Sequence, residues 1–166
     1  MKEISAYPIK ELQRVITCEN YANIKAHLDQ LCPELSSMFA SFKMDSDEGI
    51  WYGKDNITYH RFKDASDIQK EKIATQLKIA KQSLCDNPSE KMENFVELLF
   101  HIPSESHIFW YIDNEGNISV TLAQWGFQNR DEDSCEDIIQ VLIDKTKKFV
   151  KTKNRCSKSN CSCSGY

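Results

Sequence analysis

Ile108-Phe109-Trp110-Tyr111-Ile112-Asp113-Asn114-Glu115-Gly116-Asn117-Ile118-Ser119-Val120-Thr121-Leu122 is the stretch that decides the fold. Asp113 to Gly116 fits a type I turn with Asp first and Gly last, and Gly116 accepts the left-handed backbone of a three-residue hairpin loop. Asp113 then pairs with Asn117. The same register sets Ile112 opposite Ile118, Trp110 opposite Val120 and Ile108 opposite Leu122, all on one face, as a half-buried sheet requires. The opposite face carries Phe109, Tyr111, Ser119 and Thr121, and Trp125 and Phe127 continue the alternation beyond it.

Working outward, the pattern at Gly49 predicts another hairpin. Ile50-Trp51-Tyr52 and Ile57 to Phe62 flank the turn residues Gly53-Lys54-Asp55-Asn56. Between the hairpins, Ser66 and Gln69 have the spacing of a reciprocal helix cap, with Ile73, Leu77, Ala80 and Leu84 continuing the apolar face. Asn87-Pro88-Ser89-Glu90 opens a second helix with Met92, Phe95, Val96 and Leu99 on one side. Three helical stretches precede the hairpins: one after Pro8 (Ile9, Leu12, Val15, Ile16), one from Glu19 to Leu31, and one after Pro33 (Leu35, Met38, Phe39, Phe42). A last helix starts in Asp131-Glu132-Asp133 and ends among lysines, as the helix dipole favours. The expected order is ααα-ββ-αα-ββ-α, an α+β fold in which an antiparallel sheet of two hairpins is covered by helices.

Residues 1–154 are expected to form one domain and residues 155–166 a flexible tail rich in Cys and Ser. Seven cysteines, an odd number, do not match the paired framework of a small secreted scaffold, and no leader-like apolar stretch opens the sequence, so a cytoplasmic location with reduced thiols is expected. No apolar run is long enough to span a bilayer. The formal net charge of −4 includes two tail cations, Arg155 and Lys158, so the body is more acidic still and unsuited to nucleic acid.

Neither a phosphate-binding glycine loop, a nucleophile elbow, a zinc-protease helix nor a dinucleotide fingerprint occurs, and only five glycines are available to build one. Cys135 lies at the start of the last helix, but Asp131, Glu132, Asp133, Glu136 and Asp137 around it oppose a thiolate. His101 and His107 flank Pro103 with Glu105 between them, in a loop whose spacing does not aim both rings at one point. Cys156, Cys161 and Cys163 are one ligand short of a closed zinc site. No catalytic set, metal site or cofactor is expected.

The expected function is a small acidic protein-interaction module of chaperone, inhibitor or adaptor type. Phe109, Tyr111, Thr121 and Trp125 form its binding surface if the amino-terminal helices leave that face open, and core if they cover it. The partner is another protein, which includes a second copy in a homodimer. The alternative is a small hydrolase or transferase assembled from His101, Glu105, His107 and Cys135. The turn reading is testable by itself: Gly116→Val should cost about 1–3 kcal/mol, because a β-branched residue resists the left-handed region. Thermal unfolding measures it, and an unchanged midpoint would remove the proposed turn.

Overall fold

A computed structural model describes residues 1–9, 12–14, 18–86, 98–129 and 137–146. The strands are β1 (Lys2–Pro8), β2 (Leu12–Arg14), β3 (Ser41–Asp45), β4 (Glu48–Gly53), β5 (His60–Arg61), β6 (Ile108–Ile112), β7 (Ile118–Leu122) and β8 (Phe127–Asn129). The helices are α1 (Cys18–Leu31), α2 (Pro33–Ser36), α3 (Asp67–Asp86) and α4 (138–146). The fold is α+β. All the strand ladders are antiparallel, in three small sheets ordered β1-β4-β3, β2-β8 and β5-β6-β7.

The β6–β7 hairpin has the expected register, with Ile112 on Ile118, Trp110 on Val120 and Ile108 on Leu122. Asp113 N–H donates to Asn117 O at 2.8 Å and Gly116 N–H to Asp113 O at 3.0 Å. Gly116 has φ +81°. The Asp113 carboxylate also accepts from the amides of Glu115 and Asn117, which explains Asp as the first turn residue. The cap on α3 is equally direct. Ser66 N–H donates to Gln69 Oε1 at 2.9 Å, and Gln69 N–H donates to Ser66 Oγ at 3.2 Å. Ile73, Leu77, Ala80 and Leu84 are buried, and the helix packs on β7.

The first 45 residues depart from the expected helical layer except at α1 (Cys18–Leu31), which matches the helix expected from Glu19 to Leu31. The segment after Pro8 is not helical at 12–14, where β2 pairs with β8, and the residues before it form β1. At Leu12 the helical spacing is overridden by a partner more than 100 residues away, Asn129, as strand pairing often overrides local propensity, and Val15 and Ile16 lie outside the described residues. The helix after Pro33 ends at Ser36. Beyond it, Leu122 N–H donates to Met38 O at 2.6 Å and Ala40 N–H to Leu122 O at 3.0 Å, which draws residues 38–40 into extended form. Met38, Phe39 and Ala40 are all buried, a run that no single helix face would bury.

The hairpin expected from Ile50–Tyr52 and Ile57–Phe62 does not form. Both edges of β4 are taken, by β1 and β3, so the chain after Asn56 crosses to β6 instead, where His60 pairs with Trp110 and Arg61 with Phe109. The turn that does close on β4 is Asp45-Ser46-Asp47-Glu48, with Ser46 at φ +55°, and it lacks the glycine that would have announced it. A glycine is needed within β4. A Cβ on Gly49 would lie 2.5 Å from Ile9 Cδ1 and 2.8 Å from the Phe42 ring.

Residues 87–97, where the second mid-chain helix is expected, lie outside the described residues, as do 131–136, Cys135 among them, and the tail 155–166. Helix α4 is described from its cap. Asp137 Oδ1 accepts from Gln140 N–H at 3.0 Å, and Asp137 Oδ2 is held by Lys81 Nζ of α3 at 2.9 Å.

At the centre is an aromatic knot. The Tyr21 ring of α1 stacks on Trp125 with centroids 3.8 Å apart, and Phe39, Phe42 and Phe127 pack edge-on or tilted around the pair. Tyr21 Oη donates to Trp125 O at 2.7 Å and accepts from Trp51 Nε1 at 3.0 Å. Trp125 Nε1 in turn donates to Ala40 O at 2.9 Å. Tyr21→Phe keeps the ring but leaves a buried indole N–H without its acceptor and a buried carbonyl without its donor. The expected cost is about 1–3 kcal/mol in urea unfolding; a change below about 0.5 kcal/mol would mean that water replaces the hydroxyl.

Candidate functional site

Among the described residues the first strand has an open edge. Among the described residues β1 pairs only with β4, and a β-bulge between Glu3 and Ser5 breaks its register. Ile9 N–H donates to Asp47 O at 3.0 Å, continuing the ladder. Antiparallel alternation then directs the peptide groups of Tyr7 and Ser5 toward β4 and leaves the N–H and C=O of Ala6 on the outer side. Pro8, which has no N–H to offer, falls on the same outer side, where a strand tolerates proline.

A cleft of about 350 Å³ runs along that edge. Five consecutive residues, Glu3 to Tyr7, line it, and successive strand residues face opposite ways, so the cleft follows the edge of β1 rather than one of its faces.

The far wall comes from the other sheet and the corner beyond it: Arg61 of β5, Ser106 and His107 of the helical turn Glu105–His107, Phe109 of β6, and Gln124. Gln124 is the unusual member. Its φ is +53°, a left-handed conformation that costs a residue with a side chain about 1 kcal/mol. Its neighbours hold it there, since Ala123 N–H donates to His107 O at 3.0 Å and Gly126 N–H to His101 O at 2.8 Å. The residue is 1% exposed. Its Nε2 donates to Ser5 Oγ at 3.0 Å, and its Oε1 has no hydrogen-bond partner. A buried amide oxygen without a donor is a costly arrangement unless a donor arrives.

His107 is neutral at pH 7. Burial, followed by the repulsion of the Arg61 guanidinium, brings its pKa from 6.5 down to about 4. Arg61 is exposed and forms no ion pair among the described residues. Among the described residues the cleft therefore presents a cation without an ion-pair partner, an uncharged imidazole and hydroxyl groups beside an unpaired strand edge.

The residues expected to form an exposed aromatic surface are instead buried: Phe109, Tyr111, Thr121 and Trp125 are each less than a tenth exposed. Tyr59 covers Phe109 and Tyr111 edge-on, with centroids 6.5 and 5.4 Å away, and Trp125 belongs to the stack with Tyr21. The cover is thus Tyr59 of the 53–60 segment over Phe109 and Tyr111, and Tyr21 of α1 over Trp125. Of the four, Phe109 lines the cleft.

Two members of the alternative set line different cavities. His107 opens to the β1 cleft, whereas Glu105 lines a separate groove with Phe62, α3 and Leu142 of α4. Cys135 lies outside the described residues. Among the described residues no group of three or more His, Cys, Asp or Glu could hold a metal ion, and no helix is long and apolar enough to cross a membrane. Sequence reasoning missed Gln124, Arg61 and Ser5. The one available signal was a polar Gln inside the apolar run Leu122 to Phe127, a place where a polar side chain must find partners. Comparison with protein-family models, with curated proteins and with solved structures returns no match.

The depressed pKa of His107 has a measurable consequence. The unfolded chain takes up the proton near pH 6.5 and the native chain only near 4, so stability falls as the pH drops through that window, by up to about 3 kcal/mol. Urea unfolding of the protein and of His107→Gln from pH 7 to 4 measures it. The parent should lose more stability than the variant, and equal losses would place the imidazole in water.

Proposed function

We propose that this chain is a non-catalytic protein-interaction module that takes an extended segment of another protein along the edge of β1. The carrying observation is the cleft that follows that edge, lined by Glu3 to Tyr7 on one side and by Arg61, His107 and Phe109 on the other. An added strand would meet the outward N–H and C=O of Ala6. Main-chain hydrogen bonds of this kind provide affinity in strand addition, and side-chain pockets provide selectivity. A chaperone, inhibitor or adaptor uses such a site without any reacting group. Glu105 and His107, which open to separate cavities, favour binding over a hydrolase or transferase. Free thiols at Cys32 and Cys85 suit the cytoplasm.

The test is selection of random heptapeptides, displayed on phage, against the immobilised full chain, followed by Ala6→Pro. That substitution removes an outward N–H and leaves the β1–β4 ladder its donors. Selected peptides should lose at least about tenfold in affinity, about the worth of one good hydrogen bond, while circular dichroism and the melting temperature stay near those of the parent. Absence of selected binders, or binders indifferent to Ala6→Pro, would overturn the proposal.

A further inference from the structure

The charge in the cleft narrows the class of partner. Arg61 has an exposed guanidinium on the cleft wall, and no described carboxylate lies within ion-pair distance of it. Its backbone is anchored: Arg61 O accepts from Trp110 Nε1 at 3.0 Å, and the residue pairs with Phe109 across the ladder. The cation therefore projects from a fixed base. His107 beside it carries no charge at neutral pH, so the anion-attracting group on this wall is a single fork. Glu3 lies on the opposite wall and repels an anion from that side, which confines a favourable anion position to the Arg61 side.

Resting on the assignment of the cleft as a strand-binding site, we propose that it selects extended segments bearing an acidic side chain, whose carboxylate pairs with Arg61 while the segment's backbone pairs with the outward N–H and C=O of Ala6. A side-chain carboxylate fits better than a chain terminus, because capture of a terminus uses a nest of converging backbone N–H groups and the wall here offers one side-chain fork. The two contacts act on different parts of the segment. Ala6 reads the main chain, which every sequence shares, and Arg61 reads the side chain, so selectivity and affinity are separable by mutation.

The probes are three heptapeptide libraries, acetylated and amidated at their ends, with Glu, Gln or Lys fixed at the central position and the other positions randomised. A fourth library has a free carboxyl terminus and central Gln. Binding to the full chain is measured by fluorescence anisotropy at 50 and 300 mM salt. The Glu library should bind about fivefold more tightly than the Gln library, with Lys weakest, the size expected of a partly exposed ion pair. The preference should shrink at high salt and vanish in Arg61→Gln, which should still bind the Gln library as the parent does. Equal binding of the Glu and Gln libraries, or a preference that survives in Arg61→Gln, overturns the acidic selectivity and leaves strand binding standing. A preference for the free carboxyl terminus over Glu overturns the choice of side chain. Binding of every library that Ala6→Pro does not weaken overturns the strand-binding site itself.

Discussion

The hydroxyl of Tyr21 joins three parts of the chain that lie far apart in sequence. It accepts from the indole of Trp51 on β4 and donates to the carbonyl of Trp125, at the corner between β7 and β8. The sheet containing β1 and the sheet containing β6 are thereby held at a fixed offset around α1. Without the dry, stacked ring beneath it the hydroxyl would exchange with water, and both bonds would weaken. Gln124 precedes Trp125 directly, so the strained residue on the cleft wall inherits its position from this knot. The distance between β1 and the far wall is set in the core, not at the surface.

How much of this was legible in the sequence follows the range of the interactions. The β6–β7 hairpin and the cap of α3 were readable because their signals are local: Asp113 and Gly116 specify a turn, and Ser66 and Gln69 satisfy each other's amides three residues apart. The amino-terminal strands were not readable. The residues from Ile9 to Leu12 have helical spacing, and the partners of the strands on either side, near residues 48 and 128, exert no local influence. The β3–β4 turn was hidden for a related reason, since Ser46 takes a left-handed conformation that glycine usually advertises.

The candidate site was less legible than the fold, and the reason is topological. Its two walls come from β1 and from residues 61, 106–109 and 124, brought together only by the crossing of the chain after Asn56. The alternation of Phe109, Tyr111 and Thr121 was read with the correct register, but its cover could not be, because Tyr59 arrives from elsewhere in the chain. The same topology separates Glu105 from His107, two residues apart in sequence and open to different cavities.

An open strand edge is also a hazard, since it can template the growth of an endless sheet. In β1 the bulge between Glu3 and Ser5 interrupts one end of the ladder and Pro8 closes the other. Only a stretch of about three residues between them can zip to an incoming chain, far short of the long flat edges from which fibrils extend. Two copies meeting edge to edge would exhaust their pairing almost at once, while a short guest would still find a complete berth. The interruptions that shorten β1 thus make its edge a terminus for assembly, and a solution of this protein can be concentrated without that strand seeding a polymer.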